Sequence, residues 1–185
     1  MNLHCVGDIT YWYSIVGQRS LSIFCHHTFQ KQSSLSQFEI MTSNGRLKLS
    51  IPTKKNTRRR ELKHVQIDYS SNWQIEMCRS IQNAYSKSPF YLFYGYKIEA
   101  ILLQNYDYLF QLNQAMLEYI LTVLHHNVPV KYDWDTPVYF NRLNPNEHSP
   151  YPQVFDDRFA FENNLSIIDV LFNLGPETKD YLLNL

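Results

Sequence analysis

The sequence predicts an α+β fold, because strand-like runs crowd the first half of the chain and amphipathic helical patterns crowd the second. Two local signals anchor that reading. Asn44-Gly45 sits between two strand-like runs, and the stretch from Tyr106 to His126 carries apolar residues at helical spacing. The expected architecture is one domain over residues 1–185: a mixed β-sheet including a hairpin near 37–51, covered by amphipathic helices near 72–87, 106–126 and 166–174. A chain of 185 residues with 44% hydrophobic content is enough for one such core. No linker, internal repeat or low-complexity segment divides it.

Taken in order, Asp8 can cap a short helix through Tyr11, Trp12, Ile15 and Val16, with Gly17 at its end. Leu21 to Cys25 reads as a buried strand. Gln37 to Thr42 and Arg46 to Ile51 form the hairpin, its turn placed at Asn44-Gly45 because that dipeptide tolerates positive φ. Between Pro52 and Glu61, KKNTRRR reads as a solvated loop. Val65 and Ile67 alternate with polar neighbours as a strand would. Ser71 and Gln74 have capping-box spacing before a helix carrying Trp73, Met77, Ile81, Ala84 and Tyr85, which Pro89 ends.

An aromatic stretch, PFYLFYGY, leads into the long helical pattern of Leu109, Leu112, Met116, Ile120, Val123 and Leu124. Val128 to Tyr132 reads as a further strand, and NPNEHSPYP as an irregular rim. Ser166 can cap a helix through Ile167, Ile168, Val170, Leu171 and Phe172, stopped by Gly175-Pro176 before a last short helix.

Composition excludes several functions. Lys and Arg total 17 against 17 Asp and Glu, so no overall field steers the chain to nucleic acid. Cys5, Cys25 and Cys78 are odd in number and far apart, which suits a reducing compartment. No signal-peptide pattern opens the chain and no run approaches the roughly 20 apolar residues of a membrane span. The cytoplasm is the expected location. The pairs His26-His27 and His125-His126 point along divergent directions, and neither HExxH nor paired CxxC occurs, so no metal site is expected. No GxSxG is present, and Cys25 beside His26 reads as a buried thiol rather than a nucleophile.

Several segments, in order, resemble the WbqC-like family: FQKQ (29–32), NGRLKLSIP (44–52), IDYSSNW (67–73), AYSKSPFY (84–91) and YPQVFDDRFAFENNLSIIDVLFNLGPE (151–177). The resemblance implies a bacterial protein connected with surface polysaccharide, in O-antigen biosynthesis, and brings no agreed reaction or cofactor. The chain departs from the family pattern at Leu35 to Phe38, where relatives carry an Arg-containing pair. It departs again at Met77-Cys78, in place of His-Trp, and at Phe159-Ala160, in place of His-Gly.

The densest polar cluster lies at FQKQ, where His26 as a base and Lys31 as an oxyanion or carboxylate partner are the candidate catalytic residues. Gln30 and Gln32 would bind substrate beside them, unless the segment is a strand end whose amides satisfy backbone. Trp73 and the carboxyl-terminal Tyr151, Gln153, Asp157 and Asn164 are further substrate-binding candidates, with Asp157 as the carboxylate facing Lys31. Asp169, in the same run, reads as a solvated or capping group. Two functions stay open: an enzyme acting on an amino sugar or an acyl or aminoacyl donor, and a diverged binding or scaffold protein. A small molecule is the expected partner, not nucleic acid, and no cofactor is indicated.

Overall fold

The computed structural model describes residues 1–25, 29–30, 32–55, 61–135 and 148–185. Its elements run α1 (Ile9–Val16), β1 (Leu21–Phe24), β2 (Gln37–Thr42), β3 (Gly45–Ser50), α2 (Trp73–Tyr85), α3 (Tyr91–Leu103), α4 (Leu109–Val123), β4 (Val130–Asp133), α5 (Ile167–Leu174) and α6 (Thr178–Leu183). The α+β class holds, and α2, α4 and α5 are the three amphipathic helices that the sequence predicts. Most of KKNTRRR, residues 56–60, lies outside the described residues, as do His26 and Lys31.

The described strands divide between two two-stranded sheets. β1 and β4 pair in parallel, Leu21 opposite Val130. β2 and β3 pair antiparallel, Gln37 opposite Ser50 and Thr42 opposite Gly45. The hairpin turn is Ser43-Asn44, one position earlier than expected, and Gly45 carries the positive φ of 96° as the first residue of β3. Thr42 steadies the turn by donating its hydroxyl to the Gly45 carbonyl at 2.7 Å.

The outer edge of β2 is finished without a third strand. Ser166 donates its N–H to the Glu39 carbonyl at 3.0 Å, and Met41 donates its N–H to the Tyr85 hydroxyl at 3.1 Å. A helix-start amide and a phenol thus stand where a neighbouring strand would, which satisfies the edge and closes it to further pairing.

Helix starts follow the sequence unevenly. Asp8 caps α1 through a 2.8 Å bond from the Tyr11 N–H, as expected. The capping box at α2 does not form: Asn72 is the cap residue and makes no side-chain cap, while Gln74 reaches instead to the carbonyls of Leu102 and Gln104. Ser166 occupies the cap position of α5, but its hydroxyl makes no capping bond; its N–H goes to β2 and its carbonyl accepts the Asp169 N–H at 3.0 Å. Val65 and Ile67 form no strand. The segment makes one isolated bridge on each side, closed by the Lys54–Gln66 and Asp68–Pro52 bonds on one and the Ile67–Asp107 and Leu109–Val65 bonds on the other, so it acts as a short connector.

Helix α3 is the element that the periodicity hid. Its sequence, YLFYGYKIEAILL, is apolar nearly all the way round, so there is no polar face for a helical period to reveal. Tyr91, Ile98, Ile101 and Leu102 face a core shared with Trp73, Met77 and Ile81 of α2, Leu109, Leu112 and Met116 of α4, and Ile168 and Phe172 of α5. At the end of α5, Gly175 has a φ of 55°, and a Cβ there would meet the Phe90 ring at 2.5 Å. No helix among the described residues is long and apolar enough to cross a membrane.

Candidate functional site

The IDYSSNW segment and the turn that joins α3 to α4 are held together by three sets of bonds. Ile67 donates its N–H to the Asp107 carbonyl at 3.2 Å. The Tyr69 hydroxyl donates to the Tyr106 carbonyl at 3.0 Å and accepts the Tyr106 N–H at 2.9 Å. Gln74 Nε2 donates to the Leu102 and Gln104 carbonyls at 2.8 and 3.2 Å.

Between these segments opens a groove of about 340 Å³. One wall is Tyr69, Ser71, Asn72, Gln74 and Ile75, and the other is Asn105, Tyr106 and Asp107. Because Asn72 makes no cap, the first-turn N–H groups of α2 keep their hydrogen-bonding capacity at this wall. Trp73, a predicted binding residue, is buried and stacks on Tyr69 at 5.9 Å between ring centroids, so it supports the wall rather than lining it. The lining offers two amides, a third amide already spent on α3, a hydroxyl, two phenol rings and one carboxylate. Among its described residues there is no thiol, imidazole or amine.

Tyr151 and Gln153 lie in the interior around Asp169, which is 0% exposed. That carboxylate accepts the Tyr151 hydroxyl at 2.5 Å, the Tyr85 hydroxyl at 2.7 Å and Gln153 Nε2 at 3.3 Å. Asp169 is thus not a solvated group, and burial pushes its carboxyl above the usual carboxylate range while the three donors oppose that shift. Burial first, and then the neighbouring carboxylate, hold both phenols well above the ordinary tyrosine value, so they act as donors. Gln153 also grips the Glu162 backbone in both directions, at 2.9 Å each way. This network joins α2, α5 and the carboxyl-terminal segment.

Asn164 belongs to a second network at the start of α1. Its Oδ1 accepts the Thr10 N–H and hydroxyl at 3.0 and 2.9 Å, and its Nδ2 donates to Asp8 Oδ2 at 3.2 Å. His148 Nε2 lies 3.2 Å from the Thr10 hydroxyl, whose proton is directed to Asn164, so the imidazole donates there and does not activate the hydroxyl. Burial lowers the His148 pKa, consistent with a neutral ring. Asp157 is exposed and lies 3.6 Å from the Arg158 guanidinium. All three cysteines are free and buried, and burial pushes the Cys25 thiol up to about 12, which leaves no thiolate at neutral pH.

At FQKQ, Phe29 is buried whereas Gln30 and Gln32 are exposed, and Gln32 has a φ of 67°. The described candidate residues therefore occupy distinct places: Tyr151 with Gln153 in the interior, Asn164 at α1, Trp73 behind the groove, and Asp157, Gln30 and Gln32 at the surface. Sequence reasoning missed the groove's own Tyr69, Asn72, Asn105, Tyr106 and Asp107. The polar cluster NYDY at 105–108, following an apolar run, was the available signal.

No curated protein matches the chain, and no solved structure matches it. The model of the WbqC-like protein family matches over residues 9–144 and 135–181, and the chain belongs to that family.

Proposed function

We propose that this WbqC-like protein binds a sugar of a surface-polysaccharide pathway in the groove between IDYSSNW and the 104–107 turn. The carrying observation is the lining itself. Asn72, Asn105, Ser71 and Asp107 offer paired donors and acceptors, and the rings of Tyr69 and Tyr106 offer apolar faces. Hydroxyl-rich rings with apolar C–H faces need that combination, and amide-rich, weakly charged linings suit neutral polyols better than polyanions. The volume of about 340 Å³ is at the lower end for small-molecule sites, which suits a single sugar residue. Binding is favoured over catalysis here, since the described lining holds one exposed carboxylate and no imidazole, thiol or amine to serve as base or nucleophile.

The test is a pair of thermal melts with and without methyl glycosides of N-acetylated amino sugars, comparing wild type with Asn72→Ala and Asp107→Asn. A ligand that binds only the folded state raises the melting temperature. Wild type should shift and both variants should lose the shift while melting normally without ligand, since neither side chain braces the fold. Equal shifts in all three proteins would sink the groove reading.

A second reading rests on Gln32, a non-glycine residue in the left-handed region. Such strain costs about 1–3 kcal/mol and concentrates at functional sites. On this reading FQKQ is a reactive edge, with His26 as base and Lys31 as the cation for an acyl or aminoacyl donor.

A further inference from the structure

Helix α3 buries one side and leaves the other bare. Leu92 is 81% exposed, Tyr96 68% and Phe93 67%. At about 100° per residue, Leu92, Leu103, Tyr96, Ala100 and Phe93 fill a continuous arc of about 100° along three turns of helix, all of it apolar or aromatic. Scattered exposed leucines are ordinary in folded proteins, but a contiguous stripe marks a surface that something covers.

The charges around the stripe identify its partner. Lys97 is the next position round the helix beyond Phe93, and exposed Lys87 stands just ahead of the helix. On the opposite edge Glu99 accepts the Tyr91 hydroxyl, so its charge is tied inward to the fold. A second copy laid antiparallel on this stripe would bring Lys97, near its midpoint, against its own counterpart, which disfavours self-pairing. Leucine, phenylalanine and tyrosine flanked by lysines are instead the chemistry of a helix lying in a bilayer interface, the rings among acyl chains and the ammonium groups among phosphates.

We infer that this face of α3 docks on an anionic membrane surface, with Leu92, Phe93 and Tyr96 inserted and Lys87 and Lys97 meeting the headgroups. The stripe ends beside the groove: Leu103 lies between the two carbonyls that Gln74 holds, and exposed Ile75 belongs to the groove wall. Docking would therefore hold the groove at headgroup level, facing sugars carried on lipids. The inference rests on the exposed stripe and not on the groove's ligand.

The test is co-sedimentation with phosphatidylcholine vesicles, with and without phosphatidylglycerol. Wild type should pellet with the anionic vesicles and be released as salt rises, since screening weakens the lysine contribution. Leu92→Ser/Phe93→Ser/Tyr96→Ser should lower the bound fraction by about tenfold or more, and Lys87→Ser/Lys97→Ser should abolish the preference for anionic lipid. A Phe93→Trp variant gives a readout independent of the triple variant's folding, because its added emission should move to shorter wavelength on anionic vesicles. No vesicle binding by wild type, equal binding by the triple variant, or a concentration-dependent dimer that the triple variant breaks would each overturn the inference. The last outcome would assign the stripe to a second copy.

Discussion

The Tyr85 hydroxyl donates to Asp169 Oδ1 at 2.7 Å while accepting the N–H of Met41 at 3.1 Å, so one phenol on α2 links the buried carboxylate of α5 to the edge of the hairpin. Tyr85→Phe removes that hydroxyl and leaves the Met41 N–H without its acceptor in the interior. The expected cost is about 1–3 kcal/mol, the penalty for stranding a buried donor. Urea unfolding of the two proteins measures it, and an unchanged midpoint would mean that another acceptor serves the hairpin edge.

Asp169 sets a pH dependence whose sign follows from its burial. Its folded carboxyl lies above the ordinary range, so the folded state holds its proton to higher pH than the unfolded chain does. The associated stability is complete below the unfolded value and is lost as pH rises through the folded one. Asp169→Asn cannot titrate. The stability of wild type relative to Asp169→Asn should therefore fall as pH rises above the ordinary carboxylate range of about 4. A relative stability that rises with pH instead would show that the three donors outweigh burial.

Met116 is fully buried in α4 amid the shared core. Met116→Ala should cost about 2–5 kcal/mol, because the surroundings collapse only partly around the lost atoms. An unchanged denaturation midpoint would contradict that packing.

Gly175→Ala tests the junction of α5 and α6. The φ of 55° strains any side-chain-bearing residue, and the new Cβ would press on Phe90. A loss exceeding about 1 kcal/mol is expected in chemical unfolding. A neutral result would mean that Phe90 moves aside freely.

Lys31→Met and His26→Ala separate the two functional readings. If FQKQ is the reactive edge, both variants lose the melting shift given by an acyl or aminoacyl donor, whereas Asn72→Ala keeps it. If the groove alone binds ligand, the pattern is reversed for an amino-sugar ligand. Matched thermal melts with each ligand decide between them.

Much of the fold was legible because local chemistry sufficed. Asp8 caps its helix, apolar spacing marks α2, α4 and α5, and Gly45 supplies the hairpin's positive φ. Periodicity failed at α3, where tertiary burial on one side and an exposed apolar stripe on the other leave no contrast along the chain. The family segments were also legible, but as text: IDYSSNW builds a groove wall, whereas Tyr151 and Gln153 hold a buried carboxylate. A sequence lists polar residues without saying which of them already have partners. Only the tertiary structure decided that Asp169 lies inside, that Gln74 is spent on α3 and that Asn72 faces a groove, because hydrogen-bond satisfaction depends on segments distant in the chain.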